Sequence, residues 1–301
     1  MPEHACPICA TPQPAASVGT VVHGTPALVA GVEIDLGGAD YRLLQCTRCK
    51  LQYKDPPIPM DRLMACYSAS PENNWEHTPD PARRRFDQLK ALADQHAPGK
   101  RILDIGCSNG AILQYFGAPW ECFGIEPSKQ AAGVAEQRGT TILAPTIDSL
   151  DASETFDAIL AIDLLEHLDD PRTFFEQAIT HLNPGGVLIA FTGTTDSPSF
   201  RLLGSRYWYA SLPEHLVFYS RATIDHLASE LGAPLAHYER TSHIRASMTR
   251  IPRDAIKNLA WKGLLAASGL GLPPLQRKIR ERTAPGWLSA RDHMLFVMRR
   301  P

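Results

Sequence analysis

No apolar stretch in this 301-residue chain approaches the ~20 consecutive residues that a bilayer-spanning helix needs, so a transmembrane role is not expected. The opening MPEHACPICA lacks the basic start and apolar run of a secretory signal, and a cytoplasmic location is the expectation. Charge of one sign is also lacking: 30 Lys and Arg stand against 32 Asp and Glu, a net of -2, so global charge points to no nucleic-acid partner. Neither an internal repeat nor a low-complexity tract is present, which argues against a solenoid or a disordered tail. With 44% apolar and 21% charged residues, the composition is that of an ordinary globular chain.

Cysteine is not scarce. There are seven, and four of them form two Cys-x-x-Cys pairs, Cys6 with Cys9 and Cys46 with Cys49, with 36 residues between the pairs. Two thiolates in a tight turn can share one tetrahedral ion, and two such turns complete a structural zinc site with no position left open for chemistry. The surrounding segment is rich in proline and glycine and holds short β-like runs at TVVHG (20–24) and DYRLLQC (40–46). Residues 1–58 are therefore expected to form a zinc-ribbon module closed by the linker DPPIP (55–59), which can continue neither a helix nor a central strand. Cys66, Cys107 and Cys122 are solitary, and Cys107 reads as a small packed residue.

Beyond the linker, Phe86, Leu89, Ala93 and His96 recur at helical spacing over 82–97. Short apolar runs follow at 101–107, 121–127, 140–144, 156–163 and 185–191, alternating with helical stretches such as 128–138 and 171–182. That alternation predicts an α/β, doubly wound, mostly parallel seven-stranded sheet covered on both faces. A helix at 222–232, a strand near 235–242 and a last strand at 293–300 complete a core over 59–245 and 291–301.

The segment ILDIGCSNG (102–110) is a buried strand ending in an acid, then glycines, then a helix. Gly106 and Gly110 allow a ligand close to the backbone, and the helix start offers free N–H groups. The next strand ends in Glu126, about twenty residues on, where a carboxylate can accept from ribose hydroxyls. A nicotinamide cofactor would call for G-x-G-x-x-G, which is not the spacing here.

These two features together resemble motif I and the acid of motif II of the class I S-adenosylmethionine (SAM)-dependent methyltransferases. The likeness continues in FDAILAIDLLEHLDDP (156–171) and LNPGGVLIAF (182–191), and covers roughly residues 82–245 plus the last strand. It implies that Asp104, Gly106, Cys107, Ser108 and Gly110 lie along the SAM loop. It further implies that Glu126 binds the ribose, that Ile147 with Thr146 and Asp148 cradles the adenine, and that Asp163 sits near the methionine end. Ser108 stands where many members have glycine. Glu166 and His167, after the fourth strand, either act at the site or fix the loop.

The order zinc ribbon, linker, methyltransferase core resembles bacterial methyltransferases of sugars, sugar nucleotides, glycans and secondary metabolites. That resemblance implies a Glu-His pair after strand five, here Glu214 and His215, with His215 as the base, assisted by Glu214, and Tyr67 near the acceptor. Both O- and C-methylation fit. An RNA-modifying enzyme and a catalytically inactive binding protein are the alternatives. The nucleic-acid reading is weakened by the absence of Asn/Asp-Pro-Pro-Tyr or a cysteine after strand four. Residues 246–290 are expected to be a basic helical insertion: 250–283 carries eight Lys or Arg against Asp254 and Glu281, a net of +6. Ile256, Leu259, Ala260 and Leu264 share one helical face there. That face is expected to pack on the core as a lid, with contact to an anion or a membrane surface as the other reading.

Overall fold

The computed structural model of the chain describes residues 5–10, 16–23, 26–37, 41–69, 80–242, 250–268, 284–285 and 291–301. In chain order, β1 (Ala16–Thr20) precedes a small hairpin of β2 (Leu28–Val29) and β3 (Val32–Glu33), then β4 (Arg42–Gln45), β5 (Gln52–Asp55) and α1 (Met60–Ala69). Next come α2 (Asp80–His96), β6 (Arg101–Ile105), α3 (Ala111–Phe116), β7 (Glu121–Ile125), α4 (Lys129–Gln137), β8 (Thr141–Ala144) and β9 (Phe156–Ile162). The chain continues through α5 (Pro171–Thr180), β10 (Leu182–Gly193), α6 (Pro198–Leu203), α7 (Trp208–Ser211) and β11 (Val217–Phe218). It ends with α8 (Arg221–Glu230), β12 (Leu235–Thr241), α9 (Arg250–Ser268) and β13 (His293–Arg299).

Seven strands make one sheet in the order β12-β13-β10-β9-β6-β7-β8. β8, β7, β6, β9 and β10 run parallel, and β13 runs antiparallel between β10 and β12. The apolar runs are unbroken because both faces are covered. Leu103, Ile159, Leu188 and Phe296 pack on one side, and Ile102, Leu160, Ile189 and Val297 on the other. Leu89, Leu92 and Ala93 of α2 join that second layer. Helix starts follow local chemistry: Ser128, Asp170 and Ser220 cap α4, α5 and α8 through their side chains, with Pro171 in the first turn of α5.

β10 begins three residues earlier than the expected start at 185. It pairs Leu182 with Phe156, skips, and resumes at Val187 with Ala158. The irregularity holds Gly185, at φ +76, and Gly186, where a side chain would meet the carbonyl oxygens of Asn183 and Phe156 at 2.8 and 3.1 Å.

A second sheet, β1-β4-β5-β11, is antiparallel and crosses the expected boundary at 58. β5 of the N-terminal segment pairs with β11, Tyr53 opposite Val217 and Gln52 opposite Phe218. The apolar core is continuous across the join, with Ile8, Leu43 and Leu51 in the same cluster as Phe175 and Tyr219. So short a segment has little core of its own, and it gains one by sharing this sheet. The expected strand at TVVHG lies slightly earlier, as β1, and Gly24 is outside the described residues.

In α9 the expected packing is reversed. Ile256 (66% exposed), Leu259 (57%) and Leu264 (44%) face outward with Ala260, while Asp254 and Asn258 are buried. The insertion between 269 and 283, including Arg277, Lys278, Arg280 and Arg282, lies outside the described residues.

Candidate active site and cysteine centre

The C-terminal ends of β6, β7, β9 and β10 share one edge of the parallel sheet, the edge at which a doubly wound fold takes its ligand. At β6 the chain turns through Gly106 (φ +77), Ser108 (φ +48) and Gly110 (φ +72). Gly106 and Cys107 both donate their N–H groups to Ile125 O, at 2.9 and 3.1 Å, tying the loop to β7. Glu126, just after β7, meets this loop from the neighbouring strand. One carboxylate oxygen accepts from Ser108 N at 2.9 Å and the other from Ser128 N at 2.8 Å. Burial raises its affinity for a proton while those two N–H groups oppose the rise. A carboxylate has about four lone-pair directions, so both oxygens retain capacity for a ligand's hydroxyls.

Asp104 is buried at the end of β6, and its carboxyl is pushed up to about 8 by burial first and the nearby Glu126 second. Three observations fit this loop to SAM. The backbone at Gly106 is exposed, and a methyl added there would meet nothing nearer than Leu164 Cδ1 at 3.5 Å, so a ligand can approach. Among the described residues, Ser108 Oγ is buried without a hydrogen-bond partner. Asp104 and Glu126 place two acids near each other at the loop, groups suited to an ammonium and to ribose hydroxyls. Cys107 is buried with its Sγ against Gly124, where a side chain would approach to 2.5 Å, and burial pushes the thiol up, so it is a packing residue here. Ile147 begins a short turn after β8, and the neighbouring Asp148 accepts from Gln177 of α5 at 2.8 Å.

Asp163 follows β9 at φ +50 and meets Arg85 of α2 at 3.3 Å. The Arg85 guanidinium lies 3.7 Å over the Phe191 ring. Sequence reasoning passes over Arg85, because an arginine in ARRRF carries no sign of being folded inward.

A connected polar cluster lies beyond β10. Tyr67 Oη and His167 Nδ1 are 2.9 Å apart, and the His167 ring also bonds the backbone of Glu214. His167 packs edge-on to His215 with ring centres 4.9 Å apart, and His215 packs on Tyr209 at 4.1 Å. Tyr209 Oη donates to Glu166 at 2.6 Å, Thr192 Oγ1 donates to the other Glu166 oxygen at 2.8 Å, and Gly193 N donates to Tyr209 Oη at 3.0 Å. Glu166 is fully enclosed and pushed up to about 7 by burial and then Asp163.

The expected arrangement of Glu214 assisting His215 is not what this geometry presents. His215 is buried with Nδ1 on Tyr209 O at 3.1 Å, and burial holds it well below the usual histidine range. Glu214 points elsewhere: its Oε2 is buried with no hydrogen-bond partner among the described residues. Burial raises the Glu214 carboxyl. Lys54, also missed from sequence, is buried and donates through Nζ to Leu212 O at 2.5 Å, and its own N–H donates to Leu216 O at 2.9 Å. His23 Nδ1 lies 2.8 Å from Ser211 O. The N-terminal segment thus grips the loop that carries Glu214 and His215 at three points.

Cys6, Cys9, Cys46 and Cys49 converge, with all four sulfurs within 4.8 Å of one another. Cys6 Sγ lies 3.6 Å from Cys49 Sγ, and Cys46 Sγ lies 3.9 Å from Cys9 Sγ. A tetrahedron with metal–sulfur bonds of about 2.3 Å has edges of about 3.8 Å, so the spacing suits one thiolate-bound ion and is far too long for a disulfide. His226 Nε2 of α8 reaches Cys9 Sγ at 3.6 Å. Cys46 and Cys49 form the turn joining β4 to β5, so this centre adjoins the sheet that holds the Glu214 loop.

Comparison with known proteins adds the family. A methyltransferase-domain model matches residues 75–238. Ubiquinone biosynthesis O-methyltransferase of Bradyrhizobium sp. (strain ORS 278) is 32% identical over 145 residues, 44% of this chain and 56% of that protein. The protein of the same name from Nitrobacter winogradskyi is 34% identical over 136 residues, 41% of this chain and 49% of that protein. The chain thus spans about half the length of the curated relatives it matches. Among solved structures, N-methyltransferase NodS from Bradyrhizobium japonicum, in complex with S-adenosyl-L-homocysteine, is 18% identical with a TM-score of 0.46 and covers 78% of this chain and 95% of its own. A sarcosine dimethylglycine methyltransferase homologue from Galdieria sulphuraria is 13% identical with a TM-score of 0.49, over 73% and 85%. Because the family match takes in more than half of the chain, from just before α2 into β12, the chain belongs to the class I SAM-dependent methyltransferases.

Proposed function

We propose that the protein methylates a hydroxyl of a small-molecule acceptor, a sugar or metabolite, with SAM as donor. The observation that carries this reading is the Glu214 Oε2 atom, buried and unpartnered among the described residues, beside the Tyr67–His167 pair. A desolvated carboxylate oxygen left without a donor is a place for a ligand's hydroxyl. The names of the two O-methyltransferase relatives accord with a hydroxyl acceptor.

SAM supplies a methyl group already activated on a sulfonium, so the protein's task is to position and to remove one proton. In this reading Asp104, Gly106, Ser108, Gly110 and Glu126 hold the donor, with Ile147 and Asp163 at the two ends of its site. Tyr67 and His167 orient the acceptor, and Glu214 accepts the hydroxyl proton as the new O–C bond forms and the S–C bond breaks. His215 stands behind His167 and keeps its ring in place. Burial raises the Glu214 carboxyl, which makes its carboxylate a stronger proton acceptor, and lowers His167, which favours the neutral ring. Calorimetry with S-adenosylhomocysteine tests the donor half. Glu214→Gln, with binding intact and methyl transfer lost, tests the acceptor half. A variant as active as the wild type removes Glu214 from the proton step.

The four cysteines are proposed to hold one structural zinc ion. Its support is the near-tetrahedral sulfur spacing. The ion would brace the β4–β5 turn, and through β5 and Lys54 the Glu214 loop. Elemental analysis showing no metal in the purified chain would defeat this assignment.

A further inference from the structure

From its reversed amphipathicity, we propose that α9 is a membrane-surface helix that docks the protein on anionic lipid. A helix that merely covers a core turns its apolar residues inward. In α9, Asp254 and Asn258 face the protein, and Ile256, Leu259 and Leu264 are among the few large apolar side chains of the described residues that face water. At 100° per residue, Ile256, Leu259, Ala260, Gly263 and Leu264 lie within an arc of about 140°. Arg253 lies within that arc near one edge and Lys257 just beyond that edge, both exposed, and Lys262 lies on the opposite flank, where its Nζ also donates to Leu202 O of α6 at 2.8 Å. Asp254 is the one acid in the helix, and it is buried, so the outward surface is apolar and cationic with no carboxylate.

That combination is complementary to an anionic bilayer, where apolar residues enter the headgroup boundary and basic shoulders meet phosphate. The helix does not cross the bilayer: none of the described helices is long and apolar enough to do so. At 1.5 Å per residue its 19 residues extend about 28 Å along the surface. It packs beside α6, which begins five residues after β10 ends, on the strand-end edge where Asp104, Glu126 and Asp163 lie. Docking through α9 therefore sets that edge near the lipid.

Co-sedimentation of the full chain with vesicles of phosphatidylcholine, alone and mixed with phosphatidylglycerol, tests the proposal. The wild type is expected to pellet with the mixed vesicles and to be released by salt. Ile256→Glu combined with Leu259→Glu should lower partitioning by roughly tenfold or more, and Arg253→Glu with Lys257→Glu should remove the preference for phosphatidylglycerol. S-adenosylhomocysteine affinity should be unchanged in both variants, which shows that they remain folded. Absence of wild-type pelleting, or equal pelleting by the apolar-face variant, overturns the proposal. So does a wild-type dimer that this variant converts to monomer without any vesicle binding, since the face would then belong to a second copy.

Discussion

Gly110 links the cofactor loop to the helix after the next strand, and its replacement by alanine has a size that can be worked out. The residue sits at φ +72, where an L side chain costs about 1–2 kcal/mol. The added methyl would lie 2.9 Å from Ala135 Cβ, 3.0 Å from Ala135 Cα and 3.0 Å from Thr140 Oγ1, so α4 and the start of β8 must shift. Overpacking of that kind costs about 1–3 kcal/mol, and the sum, about 2–5 kcal/mol, is a large share of an ordinary domain's stability. Two other glycines separate the parts of this sum. Gly139, at φ +89 with nothing within 4 Å of an added methyl, should lose only the conformational part, about 1–2 kcal/mol. Gly133, inside α4 and equally open, should gain about 0.5–1 kcal/mol on becoming alanine. Urea unfolding of the three variants gives the ranking directly. If Gly110→Ala is no less stable than Gly139→Ala, the close approach of α4 to the loop is wrong.

Four further outcomes are expected. Glu126→Gln leaves Ser108 N or Ser128 N facing an amide, and should weaken S-adenosylhomocysteine binding by roughly tenfold, about 1–2 kcal/mol, by calorimetry. Asp104 is raised to about 8 from an ordinary 3.8, so the stability tied to its protonated form is full below the ordinary value and is lost as pH rises to about 8. Asp104→Asn should therefore stabilise the free protein by about 2 kcal/mol or more at the alkaline end and little at the acid end, while impairing donor binding. For catalysis, burial raises the Glu214 carboxyl and lowers His167, so the acid limb of kcat/KM should lie at higher pH than that of an ordinary carboxylate. An acid limb above the usual histidine range would exclude this pair. Finally, Cys46→Ser should increase hydrogen exchange in β4, β5 and the 212–218 segment together while β6 and β7 stay protected; loosening confined to residues before 58 would show that the shared sheet does not couple them.

The sheet was legible because burial on both faces leaves continuous apolar runs, as in FDAILAI and RILDI, and because each run ends at glycine, acid or proline. The loop 104–110 and Glu126 were legible for the same reason: their spacing is a consequence of one strand, one turn and one strand. The cysteine pairs were visible from local spacing, but their nearness to His226 was not, since 217 residues separate Cys9 from that histidine. Pairings between distant segments left no mark. β11 is two residues long and joins β5 through backbone bonds that any sequence can make, so the link between the N-terminal segment and the Glu214 loop was hidden. Arg85 and Lys54 look like solvated charges until a fold buries them. In α9 the helical period was correct, yet periodicity identifies only that a face exists and not which side of it meets the protein.

The proposed reaction is methyl transfer from SAM, held by the Asp104–Gly110 loop and Glu126, to a hydroxyl held at Glu214. Its most direct test is turnover with methyl-deuterated SAM and pooled hydroxylated metabolites and sugar nucleotides, read by mass spectrometry with wild type, Glu126→Gln and Glu214→Gln side by side. The expected result is a product carrying the deuterated methyl on oxygen with the wild type, less of it with Glu126→Gln because donor binding is weakened, and none with Glu214→Gln although S-adenosylhomocysteine still binds. A labelled product formed equally by all three proteins would contradict it.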